Sequence, residues 1–446
     1  MLTTRHTLAL LGLGLGFTAC DSTTPRDPAD SDPPVSAAVQ AAAVGPYYVP
    51  TTLGTVPGRA RAINNQGQVI GIASGAFIWR NGVFRNLGSL GGGSTIPNAL
   101  NEAGQVVGES YTSAGDAHAF LWENGVMRDL GTLGAPFVSG QVLSSATGIN
   151  AAGQIVGWAP TSDDLIGSRR AFLWENGRMT RLASLNRVSS LATGIDNLGR
   201  VVGEFGASNP KAFRWVAGVV RSLGTLGGPT SSASAISAGR IVGSSLNASG
   251  QLRGFLWQSG VMTNLGTLGG DLSTAAGINT LGQIVGSSRI PGSNTIYAYV
   301  WENGVMTNVG AGEAYGINRN GWIAGARPNP RVTRNLNMLP TVWKPSATPP
   351  VTPSASILVG RNFFYSEHNG SVQATVDTVA VGTTVTWEWL NASGHNVQSV
   401  GSPGFASSPI INTPAAKYRV TFTRPGTHQY NCVIHPGTMT GRVVVR

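Results

Sequence analysis

The sequence predicts an all-β chain in two folded parts, a long array of repeated hairpins followed by a small β-sandwich. Three observations predict it. The 446 residues include 61 glycines and 25 prolines, and these cost a helix about 1 and about 3 kcal/mol per site, so long amphipathic helices are excluded as the main element. A unit of about 42 residues recurs along most of the chain. The repeat then stops at a proline-rich stretch, and the remaining residues have a different pattern. Length alone fits two to four domains at about 100–200 residues each. Eleven tryptophans and thirteen phenylalanines supply apolar surface to bury, which excludes disorder throughout.

The formal charge of +10 rests on 27 arginines and only three lysines, Lys211, Lys344 and Lys417. The basic residues are scattered, with no run of four and no stripe interleaved with aromatics, so nucleic acid is not an expected partner.

At the N-terminus, Arg5 precedes an apolar run from Leu8 to Phe17, followed by Thr18-Ala19-Cys20. This is the three-part shape of a secretory signal, and the run is shorter than the ~20 residues a membrane span needs. An apolar run ending in cysteine resembles the lipobox of bacterial lipoproteins. The resemblance implies a signal peptide over 1–19, acylation of Cys20, and export of a chain held at a membrane by its lipid, facing the periplasm or the cell exterior. Residues 20–46, rich in Asp, Pro, Ser, Thr and Ala, read as a flexible tether.

The repeat array follows over residues 47–344. Runs ending in tryptophan recur at Trp79, Trp122, Trp174, Trp215, Trp257, Trp301 and Trp343, spaced by 43, 52, 41, 42, 44 and 42 residues. Each is preceded by a unit such as Ile149-Asn150 to Gly157, and these also count to seven. Ile-Asn, a glycine turn and Gln-Val-Val-Gly read as one hairpin. Phe-Leu-Trp, an Asn-Gly turn such as Asn124-Gly125, and a last short run read as a second. Four strands in about 42 residues are the signature of a β-propeller blade, which predicts a seven-bladed ring. The seventh repeat runs from Trp343 into Lys344-Pro345 with no fourth strand, while Val49 to Val56 matches a fourth strand and its exit, so the N-terminal segment is expected to close the last blade. The repeats resemble the HAF-type extracellular repeats of bacterial surface proteins, through His118-Ala119-Phe120. That resemblance implies an exported, β-rich array and no particular activity.

Within the array, the tryptophans are expected in the blade cores and the Asn and Gly positions in turns. The fifth repeat, Ile236-Ser237-Ala238-Gly239, is one residue short in its turn, and the third carries about ten extra residues around Ser162-Asp163-Asp164, read as a surface loop. His118 has no partner at ligand spacing, and the acids Glu109, Glu204 and Glu313 form no pair that would do acid–base work. No enzyme is expected in the propeller.

Residues 345–354 read as a proline-rich linker, and 355–446 as a separate sandwich with strands at Thr384 to Trp389, Lys417 to Thr423 and Gly441 to Val445. If Cys20 is acylated, Cys432 is a lone thiol in an exported chain, which is either inert or holds a metal or a reaction. It stands in Cys432-Val433-Ile434-His435-Pro436-Gly437-Thr438-Met439, with Gly394-His395-Asn396-Val397 upstream. One thiolate, two imidazoles and a thioether suit copper, and a thioether is a poor ligand for zinc. These residues resemble the cupredoxins, the plastocyanin-like blue copper proteins. The resemblance implies that His395, Cys432, His435 and Met439 hold one mononuclear copper, and that Asn396 orients the loop beside the thiolate. His368 and His428 are read as structural or surface residues. The expected function is one-electron transfer to an unnamed redox partner protein, with the propeller as scaffold or docking module. The alternative is a surface or adhesion protein whose propeller binds a protein or glycan and whose copper domain stores the metal.

Overall fold

The computed structural model describes residues 47–446 apart from 135–142, 162–168, 186–187, 292–293, 330–336, 347–350, 361–362 and 367–374. The expected signal peptide, Cys20, the tether, the insertion at Ser162-Asp163-Asp164 and His368 lie outside the described residues. All the described elements are strands, and no helix among the described residues is long and apolar enough to cross a membrane.

Seven four-stranded antiparallel sheets form the propeller, six of them built from consecutive strands, as in Ser145–Ile149, Ile155–Ala159, Arg170–Glu175 and Arg178–Arg181. The seventh takes Glu313–Ile317, Ile323–Pro328 and Met338–Ser346 from the end of the array and its fourth strand, Tyr47–Thr52, from the beginning. The register Tyr47↔Ser346 to Thr52↔Thr341 closes the ring, and Tyr48 is buried in one cluster with Trp343. The two-residue turns adopt the expected positive φ, 52° at Asn124 and 94° at Gly125. Ala217 and Ser259 hold the same place at 46° and 53° without asparagine's tolerance of it. The short turn of the fifth repeat is likewise a two-residue turn, with Ser237 paired to Arg240 and positive φ at Ala238 and Gly239.

The glycine that ends each Gln-Val-Val-Gly run is not turn chemistry. It lies inside the second strand, opposite a bulge in the first, as at Gly157 beside the register shift between Ala146 and Gly148. The bulge turns a carbonyl across the sheet, so a Cβ on Gly157 would stand 2.0 Å from the Ser145 oxygen and 2.8 Å from the Phe172 ring. The same collision, at 1.9–2.1 Å, awaits Gly71, Gly108, Gly203, Gly243, Gly286 and Gly325.

The tryptophans also differ from expectation. Trp122 and Trp343 are buried, whereas Trp79, Trp174, Trp215, Trp257 and Trp301 are half-buried beside their clusters. The aromatic residue two positions earlier fills the core instead, as Phe120, Phe172, Phe213, Phe255 and Tyr299, all fully buried. The reason is position: Phe stands mid-strand and the tryptophan at the strand end, beside the turn.

The C-terminal strands form a seven-stranded arrangement around Thr375–Trp389, which is long enough to serve both halves of the sandwich. Its first half pairs parallel with Thr440–Val445 and its second half antiparallel with Lys417–Thr421. Alternate residues are buried in both halves, interrupted by exposed Val381 and by Gly382 at φ 89°. Trp387, Trp389, Phe364, Tyr430 and Cys432 share one core there. Of the ten residues read as linker, Pro345 and Ser346 pair with Tyr48 and Tyr47, while Val351 and Thr352 pair with Thr378 and Val379.

Candidate metal centre

Cys432 follows directly on the strand Gly426–Asn431, whose alternation places Tyr430 and then Cys432 in the core. From there the chain folds back on itself. His435 N donates to the Cys432 carbonyl at 3.0 Å, Met439 N to the His435 carbonyl at 2.9 Å, and Cys432 N to the Met439 carbonyl at 3.0 Å. These three backbone bonds fix the cysteine, histidine and methionine relative to one another before Thr440–Val445 begins. Met439 is fully buried in the same cluster as Cys432.

His395 comes from a different segment, held by a pair of backbone bonds with Ile411 at 3.1 and 2.7 Å. Asn396 ties the two segments: its Oδ1 accepts from Val433 N at 2.8 Å. The result brings Nδ1 of His395 to 3.6 Å and Nδ1 of His435 to 4.0 Å from the Cys432 sulfur. The three ligand atoms lie within 4.8 Å of one another. Bonds of about 2.0 Å to nitrogen and 2.3 Å to sulfur, about 120° apart, would separate ligand atoms by about 3.8 Å, so the spacing fits a single metal ion shared by the three. Cys432 and His395 are buried and His435 is half-buried, flanked by exposed Val433 and Ile434.

The other histidines behave differently. His428 is buried against Phe422 with ring centroids 4.7 Å apart, its Nε2 3.3 Å from the Arg424 carbonyl. His118 pairs with Asp129 at 2.7 Å, a partner that sequence spacing missed because it stands on the next strand of the same sheet. Glu313 bonds to Tyr315 and Arg59.

The comparisons with known proteins make the C-terminal domain a cupredoxin with one mononuclear copper site. Residues 372–446 match the family of copper binding proteins described as plastocyanin/azurin. The chain is 42% identical over 71 residues to amicyanin from Paracoccus denitrificans, covering 15% of this chain and 52% of that protein. It is 37% identical over 70 residues to amicyanin-alpha from Methylorubrum extorquens, covering 15% of this chain and 57% of that protein. The chain thus spans little more than half the length of these curated relatives. Among solved structures, a purple cupredoxin from Nitrosopumilus maritimus matches at 30% identity over 21% of this chain and 99% of that one, TM-score 0.17. A reduced amicyanin variant matches at 32% identity over 21% of this chain and 82% of that one, TM-score 0.17.

Proposed function

We propose that the protein is an exported one-electron carrier, anchored to a membrane by a lipid on Cys20, with the propeller as scaffold or docking module. The single observation that carries the electron-transfer reading is the buried Cys432 sulfur with two imidazole nitrogens at 3.6 and 4.0 Å. His395, Cys432, His435 and Met439 would hold copper. Bound copper supplies a one-electron couple. The chain's own contribution is a ligand cage held by backbone bonds and by the Asn396–Val433 bond, which resists rearrangement when the charge of the site changes. Half-buried His435, within an apolar rim of Val433 and Ile434, is the proposed exit for the electron toward a redox partner protein. The amicyanin relatives and the plastocyanin/azurin match support this reading. The apolar run ending at Cys20 supports the anchor.

Spectroscopy of the copper-loaded full chain tests it. Intense visible absorption from thiolate-to-copper charge transfer, bleached reversibly by a reductant and absent in Cys432→Ser, is the expected result. A colourless chain that takes up only cuprous ion would replace electron transfer by copper storage. Radiolabelled lipid incorporated by the wild type and lost in Cys20→Ser is the corresponding result for the anchor.

A further inference from the structure

We propose that the groove between blades 4 and 5 of the propeller is a binding site for a small oligoanion, a molecule carrying two or more carboxylate or phosphate groups. The argument begins with departures from the repeat. After the Ile-Asn turn, four of the seven blades carry glutamine: Gln68, Gln105, Gln154 and Gln283. In blades 2, 3 and 6 that glutamine bonds to both the turn asparagine and a glutamate, as Gln154 does to Asn150 and Glu175. Blades 4 and 5 replace it by Arg200 and Arg240, and replace the glutamate by Val216 and Gln258. At the position before the tryptophan, six blades carry Ile, Leu or Val, and the fourth carries Arg214.

All three substituted arginines line one groove of about 650 Å³, joined there by Arg221 and Trp257. That volume lies within the range of small-molecule sites, about 300–1,000 Å³. Arg214 stacks over the Trp257 ring at 5.3 Å, which orients its guanidinium without neutralising it. Arg240 donates to the carbonyls of Thr280 and Leu281 in blade 6, again without an acid. Of the four guanidiniums, that of Arg200 is neutralised by Asp196 at 2.6 Å. Arg214, Arg221 and Arg240 are left with their charge uncompensated by any ion pair among the described residues, and guanidinium N–H groups match carboxylate and phosphate oxygens.

The scaffold gives way at the same place. Asn64, Asn101, Asn150, Asn279 and Asn318 each donate to a backbone carbonyl of the next blade, ending on Asn64 itself. The chain of bonds is interrupted where Asp196 and Ser237 take the asparagine's place, on either side of blade 5. The ring has given up these asparagine bonds where it gathered its charge, and keeps other contacts there, such as Thr193 Oγ1 to the Ala233 carbonyl at 2.9 Å.

Isothermal titration of the full chain with citrate and with pyrophosphate tests the site and distinguishes a carboxylate from a phosphate ligand. Arg221→Gln, an exposed change, and Arg240→Gln are each expected to weaken binding roughly tenfold, the value of one charge-assisted hydrogen bond. Arg85→Gln and Arg128→Gln, which remove the same charge elsewhere on the propeller, are expected to leave it within about twofold. Equal weakening by all four would reduce the effect to net charge and overturn the proposal. So would absence of binding by both probes, or binding only of a polymeric polyanion such as heparin.

Discussion

The buried carboxyl of Asp377 makes the cupredoxin domain sensitive to pH through a single side chain. It is fully buried and accepts one hydrogen bond, from Ser366 Oγ at 2.6 Å, which is too little to replace its lost hydration. Burial therefore raises its pKa to about 6, against 3.8 for an ordinary aspartate, and the bond from Ser366 opposes the rise only in part. Between these values the unfolded chain has lost the proton and the folded chain still keeps it. The folded state then binds more protons, and stability falls as pH rises from about 4 to about 6, by about 3 kcal/mol in all. Asp377→Asn cannot ionise. Urea unfolding of the full chain at pH 4 and pH 7 is expected to show the variant gaining about 2 kcal/mol relative to the wild type between the two. Parallel pH profiles would show that Asp377 ionises in the folded protein as readily as in the unfolded one.

At the scale of the strand and turn, the glycines of the repeat divide into two kinds. Gly125 sits in a turn at φ 94° with open space around it, so alanine there meets only backbone strain, about 1 kcal/mol. Gly157 has no unusual φ but faces the Ser145 carbonyl, and alanine must push apart the bulge, costing about 3 kcal/mol as overpacking does. Thermal melts of G125A and G157A should show the second shifted severalfold further than the first, and equal shifts would remove the bulge from the explanation. The strands, their number and the Asn-Gly turns were legible in the sequence because period and turn chemistry are local. The bulge was not, since an extra residue in one strand shows only against its partner's register. Burial of Phe172 in preference to Trp174 has a different cause, the tryptophan's place at the strand end beside the turn, which a recurring tryptophan does not reveal. The metal centre was more readable: Cys432, His435 and Met439 lie within eight residues on a loop whose backbone bonds are also local. What His395 needs beyond its identity, the bridge to Ile411, is a long-range contact that no spacing encodes.

The whole molecule depends on one closure and contains two cores. A propeller whose blades each rest on their neighbours has an open seam unless its ends meet, and Tyr47–Thr52 makes that joint by pairing with the last strand of the array. Leu53 N adds a bond to the Pro340 carbonyl at 2.8 Å, Gly58 N one to the Met338 carbonyl at 2.7 Å, and Arg327 Nη2 reaches Thr52 Oγ1 at 2.8 Å. Deleting residues 47–52 would uncover Trp343 and Val342, both now buried, and leave the seventh blade with a bare edge. Loss of several kcal/mol is expected, lowering the propeller's melting transition by about 10 °C or more. The cupredoxin core is assembled wholly from Ala355 and residues after it, so its copper band should survive the deletion unchanged. Calorimetry and visible absorption on one truncated, copper-loaded sample separate the outcomes. An unaltered melt would mean that the ring does not need the N-terminal strand. Disappearance of the band together with the propeller transition would mean that the two cores fold as one.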